Sequence, residues 1–129
     1  MDPSRPHRPA IILVEDESDM LIILGRLLRN LTAHYDILPV SNGSAALAQI
    51  AMRPVSLVIT DYNMPGMNGI ELAARIKATA PAITVILISA EATPELAHRA
   101  HATGVDYYLA KPFPLDYLEA IVRSVLSAL

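Results

Sequence analysis

Short aliphatic runs recur along the chain, each ending on a polar residue and each followed by a stretch with helical spacing. Ile11-Ile12-Leu13-Val14 runs into Glu15-Asp16, and Leu57-Val58-Ile59-Thr60 runs into Asp61. Val85-Ile86-Leu87-Ile88 leads to Ser89, and Tyr107-Tyr108-Leu109-Ala110 leads to Lys111-Pro112. Strands are expected at 10–14, 57–60 and 83–88, where the runs are almost wholly aliphatic, as in interior parallel strands covered on both faces. The 35–40 segment is mixed and holds Pro39, which cannot donate to a ladder, so it belongs at an edge. The short 106–110 segment is the expected opposite edge.

Helices are expected between these strands. Residues 18–31 carry Leu21, Leu24, Leu28 and Leu31 at three- and four-residue spacing, an amphipathic stripe. Residues 44–52 form a shorter Ala-rich helix between Gly43 and Pro54. Residues 68–79 follow the turn Met64-Pro65-Gly66 and stop before Pro81, because the residue ahead of a proline avoids the helical region. Residues 94–103 open on Pro94 and end at Gly104, the usual start and stop signals, with Leu96 their only large apolar side chain. The 115–129 helix places Leu115, Leu118, Ile121, Val122, Val125, Leu126 and Leu129 on one face.

Strand and helix alternate throughout, which predicts an α/β fold: a (βα)5 three-layer sandwich on a parallel five-stranded sheet. Right-handed crossovers leave few topologies, and edges at the second and fifth strands select the flavodoxin-like order 2-1-3-4-5. The chain then reverses direction between the first and third strands. Ligands bind at such switch points, beyond the carboxyl ends of the strands. Glu15-Asp16 and Asp61 lie at those two ends, with Ser89 and Lys111 on the next two strands across.

Each rim residue has a bland reading. Glu15-Asp16-Glu17 suits a helix start, where free N–H groups and the helix dipole favour acids, but Ser18 is expected to supply that cap by itself. Asp61 alone reads as a turn residue, Ser89 as a hydroxyl bonded to local backbone, and Lys111 as a solvated amine. Together they change meaning. Carboxylates a few ångströms apart repel unless a cation neutralises them, and oxygen-only ligands point to a hard ion, above all Mg²⁺. Asp61 would be both ligand and nucleophile, since carboxylates accept phosphoryl groups, and the Lys111 ammonium suits a phosphoryl oxygen. A cis Lys111-Pro112 bond fits the tight turn there. His7, His34, His98 and His101 are scattered, none at a strand end, and His98 and His101 are expected on the exposed face of a polar helix.

Composition narrows the classes. At 129 residues the chain is one domain, and 53% hydrophobic content with only 5% aromatics makes its core aliphatic. The absence of Cys excludes a disulfide scaffold and thiolate metal sites. A net charge of −3 gives no basic field for nucleic acid, and no apolar stretch reaches the roughly 18–20 residues that span a bilayer. The proline-rich opening, residues 1–9, is not a secretory signal and is expected to be a disordered arm. A soluble cytoplasmic domain at 10–129 is the expectation.

The segment Asp61-Tyr62-Asn63-Met64-Pro65-Gly66-Met67-Asn68-Gly69 resembles the phosphoacceptor signature of two-component response regulator receiver domains. Glu15-Asp16, Ser89 and Lys111-Pro112-Phe113 match the remaining family positions in order, so the resemblance covers residues 10–129. It implies that Asp61 is phosphorylated by a sensor histidine kinase or histidine phosphotransfer protein. It further implies Mg²⁺ held by Asp16, Asp61 and the backbone carbonyl of Asn63, with Glu15 acting through water. Lys111 would pair with the phosphoryl group, Ser89 would move to it, and Tyr108 would be the aromatic switch. Glu15 stands where Asp is also frequent, and Ser89 where Thr is commoner. Asn63 and Glu91 match chemotaxis-type single-domain members, which implies fairly prompt dephosphorylation.

On this resemblance the chain is no enzyme toward other substrates and catalyses only its own phosphorylation and dephosphorylation. Its output would be a face made by the 94–103 helix, the 106–110 strand and the 115–129 helix, binding a downstream protein or a second copy. Neither nucleic acid nor membrane is an expected partner. Since nothing follows the last helix, a stand-alone receiver or a portion of a hybrid kinase or larger regulator is expected. Three rival functions remain to be weighed. An aspartyl phosphatase needs an acid two residues after its nucleophile, where Asn63 stands. An FMN binder needs a phosphate loop where this chain has Glu15-Asp16-Glu17. A phosphorylation-independent interaction module has no use for the complete acidic site.

Overall fold

The computed structural model describes residues 8–91 and 93–129, so the expected arm lies outside the described residues as far as His7. Arg8 and Pro9 are tied to the fold. The Arg8 guanidinium donates to Ala33 O at 2.7 Å, the Arg8 carbonyl accepts from Arg53 at 2.7 Å, and Pro9 O accepts from Asp36 N at 3.1 Å.

Five strands and five helices alternate: β1 (Ala10–Val14), α1 (Ser18–Leu31), β2 (Asp36–Val40), α2 (Gly43–Met52), β3 (Val55–Asp61), α3 (Gly69–Thr79), β4 (Thr84–Ser89), α4 (Pro94–Thr103), β5 (Tyr107–Ala110) and α5 (Leu115–Ser127). All strand pairs are parallel, in the order β2-β1-β3-β4-β5 that the sequence predicts. Alternation along each strand divides the core into two layers. Ile12, Val14, Val58, Val85 and Leu87 pack against α2, α3 and α4 through Ala46, Leu72, Ala73, Ile76, Leu96 and Ala100. Ile11, Leu13, Leu57, Ile59, Ile86 and Ile88 face α1 and α5 through Leu24, Leu28, Leu118, Val122 and Val125.

Several boundaries differ from expectation, each for a local reason. β3 is longer at both ends because Val55 pairs with Ala10 and Asp61 with Ile88, so Asp61 is the last residue of the strand itself. Ser89 likewise closes β4, opposite Ala110. Asp106 lies ahead of β5, its carboxylate accepting from Val85 N at 2.8 Å. Glu17 rather than Ser18 is the N-cap of α1, with no side-chain cap bond. Asn68 precedes α3 as the N-cap of a reciprocal capping box with Glu71. α5 ends at Ser127, and Leu115 and Leu129 are exposed rather than part of its buried stripe.

The first residue of α3 has no room for a side chain. A Cβ at Gly69 would sit 2.5 Å from both Asp61 O and Leu87 Cδ1. α3 therefore starts in direct backbone contact with the end of β3, which fixes where Asp61 can point. Gly69→Ala should lower unfolding free energy in urea titration by about 1–3 kcal/mol through overpacking. Ala74→Gly, on the exposed face of the same helix, should cost about 1 kcal/mol or less. Equal losses at the two sites would show that the close approach is unimportant.

Candidate functional site

Hydrogen bonds continue the parallel ladder just past the strand ends. Glu15 N donates to Val40 O at 3.1 Å, Tyr62 N to Ile88 O at 2.7 Å, and Lys111 N to Ser89 O at 2.7 Å. With the β1–β3 ladder, they hold the carboxyl ends of all five strands in one rim and bring Glu15, Asp16, Asp61, Ser89 and Lys111 to it. Glu15 and Asp61 are buried, only 3% and 7% exposed, while Asp16 faces solvent. One oxygen from each of Glu15, Asp16 and Asp61 lies within 4.8 Å of the others, the only such acidic or histidine group among the described residues. The Lys111 ammonium approaches Asp61 Oδ1 at 3.5 Å and Glu15 Oε2 at 3.9 Å. One cation thus faces two of the three clustered carboxylates.

Burial dominates the electrostatics. It raises the Glu15 carboxyl from 4.5 to about 7, Asp61 and Asp16 pushing the same way, against Lys111 and the Glu17 N–H that donates to Oε1 at 3.1 Å. Asp61 is also raised, first by burial and then by Asp16, with Lys111 opposing. The capping reading of the acidic run is therefore partly correct, since Glu15 satisfies a free N–H at the start of α1. Its second oxygen and both neighbouring acids remain for another purpose. An all-oxygen, charge-excess cluster of this kind is able to hold a metal ion.

The other residues singled out lie around this core. Ser89 is fully buried, and its Oγ accepts from Glu91 N at 3.0 Å. Half-buried Tyr108 donates its hydroxyl to the Glu91 carbonyl. Asn63 is exposed in the β3–α3 turn, two residues beyond Asp61. The Lys111-Pro112 bond is cis, as its sequence setting suggests. His34, His98 and His101 are exposed and away from the rim, while His7 falls outside the described residues.

Two supports escaped the sequence reading. Buried Thr60 donates its hydroxyl to Asp61 O at 2.9 Å, and Gly69 N donates to Tyr62 O at 3.0 Å. A hydroxyl inside an aliphatic run, as Thr60 is, was the available signal for the first.

A family model described as Response regulator receiver domain matches residues 11–123. The chain is 36% identical over 117 residues to the transcriptional regulatory protein ZraR of Escherichia coli O157:H7, a match spanning 91% of this chain and 26% of ZraR. With chemotaxis protein CheY-3 of Vibrio cholerae the identity is 37% over 121 residues, 92% of each chain. The signal receiver domain of an HD domain-containing protein from Pseudomonas fluorescens Pf-5 superposes with a TM-score of 0.85 at 32% identity, covering 95% of this chain and 97% of that one. The chain thus spans about a quarter of the length of ZraR and nearly all of CheY-3.

A carboxyl raised on folding stabilises the folded state fully below its unfolded pKa and loses that contribution as pH climbs through the folded one. The metal-free domain should therefore lose stability between pH 4.5 and about 7 because of Glu15, by up to about 1.4 kcal/mol per pH unit. Asp61 adds to the loss in the same direction. Glu15→Gln should flatten the profile in that window and exceed the wild type in stability at its alkaline end. A wild-type profile that rises from pH 5 to 7 in chelator would contradict the assignment.

Proposed function

The chain belongs to the response regulator receiver domain family of two-component signalling, and from that membership we propose that Asp61 accepts a phosphoryl group from a phosphohistidine. The supporting observation is the placement of Asp61, buried at the end of β3, beside Lys111 at 3.5 Å and clustered with Glu15 and Asp16. Asp16, Asp61 and the backbone carbonyl of Asn63, with Glu15 through water, are the donors that would hold Mg²⁺. The oxygen-only donor set and its excess of negative charge fit a hard divalent ion. When bound, Mg²⁺ supplies positive charge against the oxygens of the incoming phosphoryl group.

An ionised Asp61 oxygen attacks phosphorus. The new O–P bond forms as the P–N bond of the phosphohistidine breaks, and the imidazole, already protonated on its other ring nitrogen, leaves neutral with the electron pair. Lys111 favours the ionised form of Asp61 against the larger effect of burial, then pairs with the phosphoryl charge after transfer. Ser89 turns its hydroxyl from the Glu91 N–H to donate to a phosphoryl oxygen. That turn takes away one of the two bonds to Glu91, and Tyr108, which makes the other, shifts with it.

The donor is a sensor histidine kinase or a histidine phosphotransfer protein in the cytoplasm. The face formed by α4, β5 and α5 then engages a downstream protein or a second copy of the chain. The exposed Tyr107, Leu115 and Tyr117 give that face apolar contacts. An acid two residues after the nucleophile, which a phosphatase reading needs, is replaced by Asn63.

Incubation with acetyl phosphate and Mg²⁺ should add the mass of one phosphoryl group to the wild type and none to Asp61→Asn. Lys111→Met should slow the addition by about 100-fold, the usual effect of losing one preorganised charge. An adduct of equal yield on Asp61→Asn would overturn the reading.

A further inference from the structure

The two ends of α4 are held very differently. At its amino end Leu96 is the only buried large side chain, and the approach to the helix is fastened by the bonds of Glu91 to Ser89 and Tyr108. Those bonds belong to the groups that respond at the rim. At the carboxyl end Ala100 and Val105 are buried, and Gly104 N and Val105 N donate back to the last turn.

A second fastening lies beneath that end, at the opposite end of β4 from Ser89. Lys77, in the last turn of α3, donates to Ile83 O at 2.6 Å, Asp106 Oδ2 at 2.9 Å and Pro81 O at 3.3 Å. All three ammonium donors are used. The same Asp106 oxygen accepts from Val85 N at 2.8 Å, while Asp106 N donates to Val85 O at 2.9 Å. Gly104, at φ +100°, lies against the lysine stem, where a Cβ would come within 3.1 Å of Lys77 Cγ. One side chain therefore joins the end of α3, the α3–β4 turn and the α4–β5 turn that leads into β5.

Resting on the phosphoacceptor reading above, we propose that Lys77 is a positioning residue. It fixes the carboxyl end of α4 and the start of β5 as a pivot, so that phosphorylation of Asp61 displaces the amino end of α4 alone. Ser89 leaving Glu91 loosens one end of the helix, and the Lys77–Asp106 bolt keeps the other end in place. The response is thereby directed to one half of the α4–β5–α5 face.

Amide hydrogen exchange of the full chain, with and without acetyl phosphate and Mg²⁺, tests the pivot, with the adduct on Asp61 measured by mass in the same samples. On phosphorylation, exchange at 95–99 should change by about fivefold or more, and at 100–107 by less than about twofold. Lys77→Met keeps the stem under Gly104 and removes the ammonium. It should leave the adduct unchanged and let the exchange response spread into 100–107. Asp106→Asn retains an acceptor for Val85 N but removes the charge, so it should spread the response less, and it decides the matter if Lys77→Met does not fold.

Absence of the adduct in the wild type overturns the phosphoacceptor reading, and the pivot with it. A phosphorylated wild type that responds evenly from 95 to 107 overturns the pivot alone. So do phosphorylated variants in which the response stays confined to 95–99.

Discussion

Two carboxylates taken out of water at the ends of adjacent strands, with a single lysine between them, are the constraint on which this structure turns. Burial disfavours the charged forms of both Glu15 and Asp61, neighbouring acids add to it, and Lys111 offsets only part of that. Left to itself, such a cluster favours protonation or separation of its members. The rest of the molecule prevents separation. Glu15 and Asp61 directly follow or end strands that are hydrogen-bonded neighbours in the buried centre of the sheet. The rim is thus held at a cost in stability by an aliphatic core large enough to bear it.

The core is also what makes the site asymmetric. β1 and β3 are covered on both faces, so the acids they carry cannot move far. β5 is an edge strand of four residues, and α4 buries little. On the proposed phosphoacceptor reading, the acids lie over the well-buried strands and the responding groups over the edge, with Ser89 at the junction. The Ser89 hydroxyl accepts from Glu91 N and the Tyr108 hydroxyl donates to Glu91 O, so both side chains meet at one residue.

Much of this was readable from the chain alone, for identifiable reasons. Interior strands announce themselves as unbroken aliphatic runs, and Pro39 marks an edge because it lacks a donor. Converging the acids required only topology: order 2-1-3-4-5 puts the ends of β1 and β3 side by side. Depth was harder to read. Leu115 and Leu129 match the apolar spacing of α5 yet lie exposed, since periodicity gives direction around a helix and not whether a partner is present there. The cap of α1 falls at Glu17 rather than Ser18, and the Glu15 side chain, held by its strand, accepts from the N–H of Glu17. Thr60, Gly69 and the Lys77–Asp106 pair act through contacts made only after the chain has folded.

The direct test of the central claim is thermal unfolding of the wild type and Asp61→Asn at pH 8, in chelator and across a Mg²⁺ series. If the fold holds repelling carboxylates together for a cation, Asp61→Asn melts higher than the wild type in chelator. Mg²⁺ then raises the wild-type melting temperature progressively and raises that of Asp61→Asn far less. A wild type insensitive to Mg²⁺, or an Asp61→Asn variant that melts lower in chelator, would contradict the account.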